Sequence, residues 1–251
     1  MKSSESSSVS LGCTMSSTTL QPCEELRFEV GVGAEMTVEL TNGMAEIFGA
    51  EMALRRKYAF SGTQQAIFTW HGCDITVDGQ CGHSYVARES PMQSYMQLHA
   101  ELESRREAAR SSGMDGPHVL VVGPPGTGKS TLCRLLANYA ARAGHGAALV
   151  ELDAGRGDLA LPGCIGAVPV LRPLPIERST AELAPLAFWV GHTAAAEHVG
   201  HYKQLVGALA DAVHRRRAAQ RAERAAGLIV NSCGWADSLD EARPTLGRCP
   251  R

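Results

Sequence analysis

Apolar and polar positions alternate with a period of two from about Glu24 to Val86, and follow the longer helical period from Met92 onward. Leu26-Arg-Phe-Glu-Val30, Met36-Thr-Val-Glu-Leu40, Ala66-Ile-Phe-Thr-Trp70 and Ile75-Thr-Val77 read as short strands. Asn42-Gly43, Ser61-Gly62 and Asp78-Gly79 separate them as turns. This spacing predicts a small antiparallel sandwich or barrel over residues 24–90. Pro91 marks a boundary, and residues 92–110 read as a charged amphipathic helix stopped by Ser111-Ser-Gly113. It is expected to be an interdomain linker over 91–116.

From Pro117 the pattern changes to strand, loop, helix, strand. Val119-Leu-Val-Val122 enters a glycine-rich turn, residues 129–143 leave it as a helix, and Ala147-Ala-Leu-Val-Glu-Leu152 follows as a strand. Such a βαβ unit predicts a parallel sheet with covering helices, an α/β domain over 117–251. A Pro-rich stretch (162–175), a strand near 187–190, one long helix from Val199 to Arg224 and a strand at Leu228-Ile-Val230 complete the pattern. Nothing regular is expected after Trp235, so the domain is expected to be incomplete, with a C-terminal portion missing.

The 251 residues suffice for two modest domains. Apolar content of 44% and charged content of 20% suit a soluble globular chain, and no apolar run approaches the roughly 18 residues of a bilayer span, so no membrane partner is expected. A net charge of −2 argues neither for nor against nucleic acid. Residues 1–23 are rich in Ser and Thr and lack the apolar stretch of a secretory signal. They are expected to form a disordered tail, with a transit peptide as the weaker alternative. None of the eight cysteines forms a C-x-x-C pair, which implies a reduced, intracellular protein without a zinc site.

Gly123–Ser130 reads GPPGTGKS, the full G-x-x-x-x-G-K-[ST] phosphate-binding loop in its proper strand-to-helix setting. Its glycines turn backbone N–H groups toward phosphate oxygens, Lys129 reaches the terminal phosphates, and the Ser130 hydroxyl can ligate Mg²⁺. The alternative is a plain Gly/Pro turn, which the agreement of strand, loop and helix disfavours. The chain is therefore expected to bind a nucleoside triphosphate.

Asp153 ends strand 147–152, which is expected to lie beside the strand feeding the loop. A carboxylate there can hold Mg²⁺ through water or accept a proton from an attacking hydroxyl; it can equally cap the turn Asp153-Ala-Gly-Arg-Gly157. His192-Thr193 and Asn231-Ser-Cys-Gly-Trp235 follow strands in the same way, at the edge where open α/β sheets bind ligands. Trp235 can stack on a base or cover a sheet edge. Arg215-Arg-Arg217, Arg221 and Arg224 read as a solvated helix face rather than a phosphate track. A motor-type ATPase would need an adjacent acid pair, whereas Glu151 and Asp153 alternate.

Taken together, these blocks resemble the polyribonucleotide 5′-hydroxyl kinase family that includes the ATP-binding subunit of pre-mRNA cleavage complex II (cleavage factor IA in fungi). The matching segments are Glu25–Val30, Asn42–Gly49, Phe68–Cys73, Gly123–Thr131, Leu132–Leu136, Val150–Asp153, Leu161–Gly163 and Asn231–Trp235, in order from about residue 24 to 237. The resemblance implies an N-terminal β domain, a phosphate-loop kinase domain and a further C-terminal domain. It implies a nuclear role in cleavage before polyadenylation, with other cleavage-factor subunits and RNA as partners. Some members phosphorylate RNA 5′-hydroxyls and act with the tRNA-splicing endonuclease; others bind ATP without turning it over. Carried across residue by residue, Glu25 matches an ATP contact from the N-terminal domain, and Gly126, Thr127, Gly128, Lys129, Ser130 and Thr131 match phosphate contacts. Asp153 matches the acid that activates the RNA hydroxyl, and Thr193 and Trp235 match positions that hold the RNA end.

The chain departs from this pattern in five places. Pro125-Gly-Thr127 fills the middle of the loop, where Thr-Asp-Val is common in the family. Arg156 replaces the Gln of Asp-x-Gly-Gln, Gln64 stands where a Lys is expected near the nucleotide, and Ser232 replaces a Thr. The Arg-bearing lid of the family would fall after residue 251 and is expected to be missing. Loss of such lid contacts weakens phosphoryl transfer by about 10³-fold or more while sparing ATP binding.

Overall fold

The computed structural model describes residues 15–155, 159–177 and 185–234. Described residues up to Ser94, joined by Ile176 and Glu177, form one compact unit, and those from Tyr95 to Pro175 and from 185 on form another.

The first unit is all β. Its strands are β1 (Ser16–Leu20), β2 (Glu25–Val30), β3 (Met36–Gly43), β4 (Glu46–Ile47), β5 (Ala50–Glu51), β6 (Lys57–Phe60), β7 (Thr63–Phe68), β8 (Cys73–Gly79) and β9 (His83–Ala87). They form two antiparallel sheets, ordered β1-β8-β3-β6 and β5-β4-β7-β2-β9. The period-two pattern does its work here: in β3, Met36, Val38 and Leu40 turn inward while Thr37 and Glu39 do not. Leu26, Phe28 and Val30 of one sheet meet Val38, Ile75 and Val77 of the other in a single core, with Phe28 and Phe60 edge to face at 5.4 Å. Ile176 packs on this core, and the Glu177 carboxylate accepts the Ala59 N–H at 2.8 Å. The sandwich begins earlier than residue 24. β1 lies inside the Ser/Thr-rich segment expected to be a tail, pairs with β8, buries Leu20, and donates the Thr19 hydroxyl to Asp74 at 2.6 Å. Hydroxyl-rich composition hid it, although Thr is a favourable strand residue.

The second unit is α/β. Helix α1 (Met92–Ser112) leads into β10 (His118–Val121), α2 (Lys129–Arg142), β11 (Ala148–Glu151), β12 (Cys164–Pro169), β13 (Leu186–Trp189), α3 (Val199–Ala219), α4 (Arg221–Ala226) and β14 (Leu228–Asn231). The sheet order is β10-β14-β11-β12-β13. β14 is parallel to both β10 and β11, whereas β12 and β13 run antiparallel to their neighbours. Two expectations are corrected. The sheet is mixed, because the Pro-rich stretch supplies β12 as a short return strand. The strand ending before Asp153 does not lie beside the strand feeding the phosphate loop, because β14 is inserted between them.

Helix α1 is a part of this unit rather than a free linker. Arg106 is 1% exposed and donates from Nε to the Ala226 carbonyl at 3.0 Å. The predicted long helix breaks at Gln220, whose extended backbone (φ −126°, ψ 100°) starts α4. Its arginines are not all solvated: Arg217 is buried against His118 at 2.9 Å, and Arg216 makes a bidentate pair with Glu223, both bonds 2.9 Å. Among the described residues no helix is long and apolar enough to cross a membrane.

Candidate nucleotide site

Helix α2 starts at Lys129 directly out of the glycine-rich turn. Gly126 (φ 77°) and Gly128 (φ 81°) are left-handed, which an L side chain resists, and a Cβ at either would meet nothing within 4 Å. The glycines thus serve backbone direction and leave open space in front of the loop, as a phosphate cradle requires. Thr127 Oγ1 and Lys129 Nζ both donate to the Pro124 carbonyl, at 2.9 and 2.8 Å, so the ammonium lies over the loop. Gly123 opens the turn, and Thr131 sits half-buried in the first turn of α2. From the other side Gly234 presses on the loop: a Cβ there would fall 2.8 Å from Pro125 Cγ.

Asn231, the last residue of β14, ties the loop to β11. Its Nδ2 donates to Ser130 Oγ at 2.8 Å and to the Glu151 carboxylate oxygens at 3.0 and 2.8 Å. Glu151 Oε1 also accepts the Asp153 N–H at 2.8 Å. Asn231 Oδ1 is buried without a protein partner among the described residues. This acceptor beside Ser130 Oγ suits a water on a bound cation, so Ser130 and Asn231 fit Mg²⁺. Neither Asn231 nor Glu151 was singled out as a site residue from the sequence. The available signal was polar residues at the C-terminal ends of two apolar strands. Burial pushes the nearby Cys133 thiol up to about 12, with the Glu151 charge adding and Lys129 opposing.

Asp153 Oδ1 accepts the Gly155 N–H at 3.1 Å, so it caps its own turn. Thr193 adjoins that turn: a Cβ on Gly155 would lie 3.1 Å from the Thr193 carbonyl. His192 is occupied by Glu197 at 2.6 Å. Trp235 and Arg156 lie outside the described residues. In the first unit, Glu25 is 5% exposed; its carboxylate is held by Arg27 and accepts the Ser90 hydroxyl at 2.8 Å. Gln64 is exposed on β7, opposite Glu29 of β2.

Residues 123–243 match the family model described as mRNA cleavage and polyadenylation factor CLP1 P-loop, and residues 19–109 match the N-terminal beta-sandwich domain of polyadenylation factor. A zebrafish (Danio rerio) protein named polyribonucleotide 5′-hydroxyl-kinase Clp1 is 41% identical over 231 residues, which is 92% of this chain and 52% of that protein. The Homo sapiens protein of the same name is 41% identical over 212 residues, 84% of this chain and 50% of its own. The chain spans about half the length of these relatives. The solved structure of a wild-type Clp1p–Pcf11p complex superposes with a TM-score of 0.82 at 21% identity, over 95% of this chain and 59% of that one, in agreement with the fold.

Proposed function

The chain belongs to the CLP1 family of mRNA cleavage and polyadenylation factors, and on that premise we propose that it is an ATP-binding component of the nuclear machinery that cleaves and polyadenylates pre-mRNA 3′ ends. Its proposed partners are RNA and the other cleavage-factor subunits. The observation that carries this reading is the cradle itself: two left-handed glycines with open space before them, a buried lysine, and a serine oriented by Asn231. Lys129 would leave the Pro124 carbonyl for the terminal phosphates. Mg²⁺, when bound, would offset charge on the β- and γ-phosphates. Ser130 and, through water, Asp153 would hold it, and Asn231 Oδ1 would accept from its hydration shell.

Calorimetry with ATP and Mg²⁺ tests the reading. Binding by the wild-type chain and its loss in Lys129→Ala are expected, together with weaker retention of a cleavage-factor subunit. Unchanged partner retention in an ATP-free variant would remove ATP from the assembly role.

A second reading, ATP-dependent phosphorylation of an RNA 5′-hydroxyl in tRNA splicing beside its endonuclease, is favoured by the position of Asp153. Its backbone is fixed by Glu151 and its turn adjoins Thr193. In this reaction the 5′-oxygen forms a bond to the γ-phosphorus, the bond to the β–γ bridging oxygen breaks, ADP departs, and Asp153 takes the hydroxyl proton. Thr193 and Trp235 would hold the RNA end. Transfer of label from γ-labelled ATP to a 5′-hydroxyl oligoribonucleotide, above the Lys129→Ala background, is the deciding measurement.

A further inference from the structure

Trp189, the last residue of β13, keeps 62% of its surface exposed. Its neighbours Phe188 and Val190 both turn into the core beneath α3, so the indole stands on the opposite face. The ring is seated: a Cβ on Gly163 would lie 2.8 and 2.9 Å from two indole carbons, and one on Gly191 would lie 3.7 Å from Nε1. The six-membered ring of the indole therefore lies close to the bare backbone at Gly163, while most of the side chain is open to solvent.

The strand register ties this indole to the nucleotide site. Glu151 of β11 pairs with Gly166 of β12, and Gly166 with Ala187 of β13; two residues on, Cys164 pairs with Trp189. Extending the β11–β12 register by the same two residues brings Asp153 level with Cys164. The Gly163 N–H, bonded to the Ala154 carbonyl at 2.7 Å, keeps these segments in step. Residues directly opposite in a ladder share a face, so Trp189 stands on the face from which Glu151 meets Asn231. Two strand spacings separate Trp189 from Asp153, about 10 Å. In this register the one residue that stands between them is Cys164, whose side chain is small.

We propose that Trp189 is a stacking platform for the base of the second or third nucleotide of a single-stranded RNA whose 5′ end lies at Asp153. The inference rests on the RNA-acceptor reading above. An exposed aromatic ring accepts any base, because every base has a π-face. The roughly 10 Å offset along the sheet rim skips the terminal nucleotide and reaches those following it.

The test compares the wild-type chain with Trp189→Ala and Trp189→Phe in the presence of a non-hydrolysable ATP analogue. The probes are 5′-hydroxyl oligoribonucleotides of one to four units, with an abasic unit placed at each position in turn. Trp189→Ala is expected to leave affinity for the ATP analogue and for the mononucleotide unchanged. It should weaken the trimer and tetramer by roughly 5- to 100-fold, with Trp189→Phe recovering most of the loss. An abasic second or third unit should cost the wild type as much and the Trp189→Ala variant nothing further. Equal affinity of wild type and Trp189→Ala for every length, or loss for the mononucleotide as well, overturns the platform while leaving the RNA-acceptor reading intact. ATP binding with no oligonucleotide binding by the wild type overturns both. Unchanged RNA binding with reduced retention of a cleavage-factor subunit assigns Trp189 to a protein contact instead.

Discussion

Asn231 and Glu151 meet as a buried amide–carboxylate pair, with Nδ2 at 3.0 and 2.8 Å from the two oxygens. Both residues are almost fully buried, and the same amide reaches Ser130 Oγ. Asn231→Ala removes one of the carboxylate's buried donors and is expected to cost about 1–3 kcal/mol in urea unfolding. Asn231→Asp should cost more at pH 7, because two carboxylates would stand at hydrogen-bond distance. Its deficit should shrink as the pH is lowered and the new pair takes up a proton. An Asp variant as stable as the Ala variant at pH 7 would contradict the pairing.

The glycines of the loop give a second prediction. Gly126 and Gly128 have positive φ and no steric neighbour, so an alanine at either position meets conformational strain but no clash. Gly128→Ala should lower unfolding stability by about 1–2 kcal/mol. Its effect on ATP affinity should exceed that cost, since the added methyl and the backbone change both fall in the phosphate cradle. Titration with ATP beside urea denaturation separates the two effects, and an affinity loss no larger than the stability loss would argue against the cradle.

The loop was legible in the sequence because its chemistry is local: glycine, lysine and serine at fixed spacing carry their own conformational demand. The β1–β8 pair and the strand order were not. Ser16–Leu20 contributes one fully buried apolar residue, so nothing distinguished it from a polar tail until β8 was there to pair with it. Leu228–Val230 and the run ending at Leu152 are both short apolar stretches, and no periodicity says which lies next to β10. The partners of Asn231 were hidden for the same reason, since they are 101 and 80 residues away. β12 was masked by flanking prolines, though Ile165, Ala167 and Val168 are buried within it.

Helix α1 supplies the third prediction. The Arg106 guanidinium is 1% exposed and joins Glu103 at 3.3 Å to the Ala226 carbonyl ahead of β14. Arg106→Ala leaves that carbonyl without this donor and the Glu103 carboxylate with His145 alone of these two partners, and is expected to cost about 3 kcal/mol. Arg106→Met, which keeps the packed stem, should cost less. Limited proteolysis should then cut α1 before the rest of the second unit. If α1 were an independent linker, neither substitution would change the unfolding midpoint.

The fourth prediction concerns acid. His99 of α1 is half-buried, rests against Tyr139 with ring centroids 5.2 Å apart, and has Nδ1 buried without a hydrogen-bond partner among the described residues. Burial, foremost, holds its pKa below the usual histidine value; Arg106, Arg142 and His145 act in the same direction, and Glu103 opposes them. As pH falls below about 6.5, the unfolded chain takes up the proton first. Stability from neutral His99 is therefore complete above that pH and is lost as pH falls toward the lower folded value. Urea unfolding midpoints measured at pH 7.5 and 5.5 should fall for the wild type and fall less for His99→Phe, which keeps the ring contact and cannot titrate. The difference between the two slopes isolates His99 from His145, which faces Glu103 at 2.6 Å and Glu107 at 3.3 Å and is present in both proteins. Identical slopes would mean that His99 takes up its proton equally in the folded and unfolded states, and that the buried Nδ1 is reached by water.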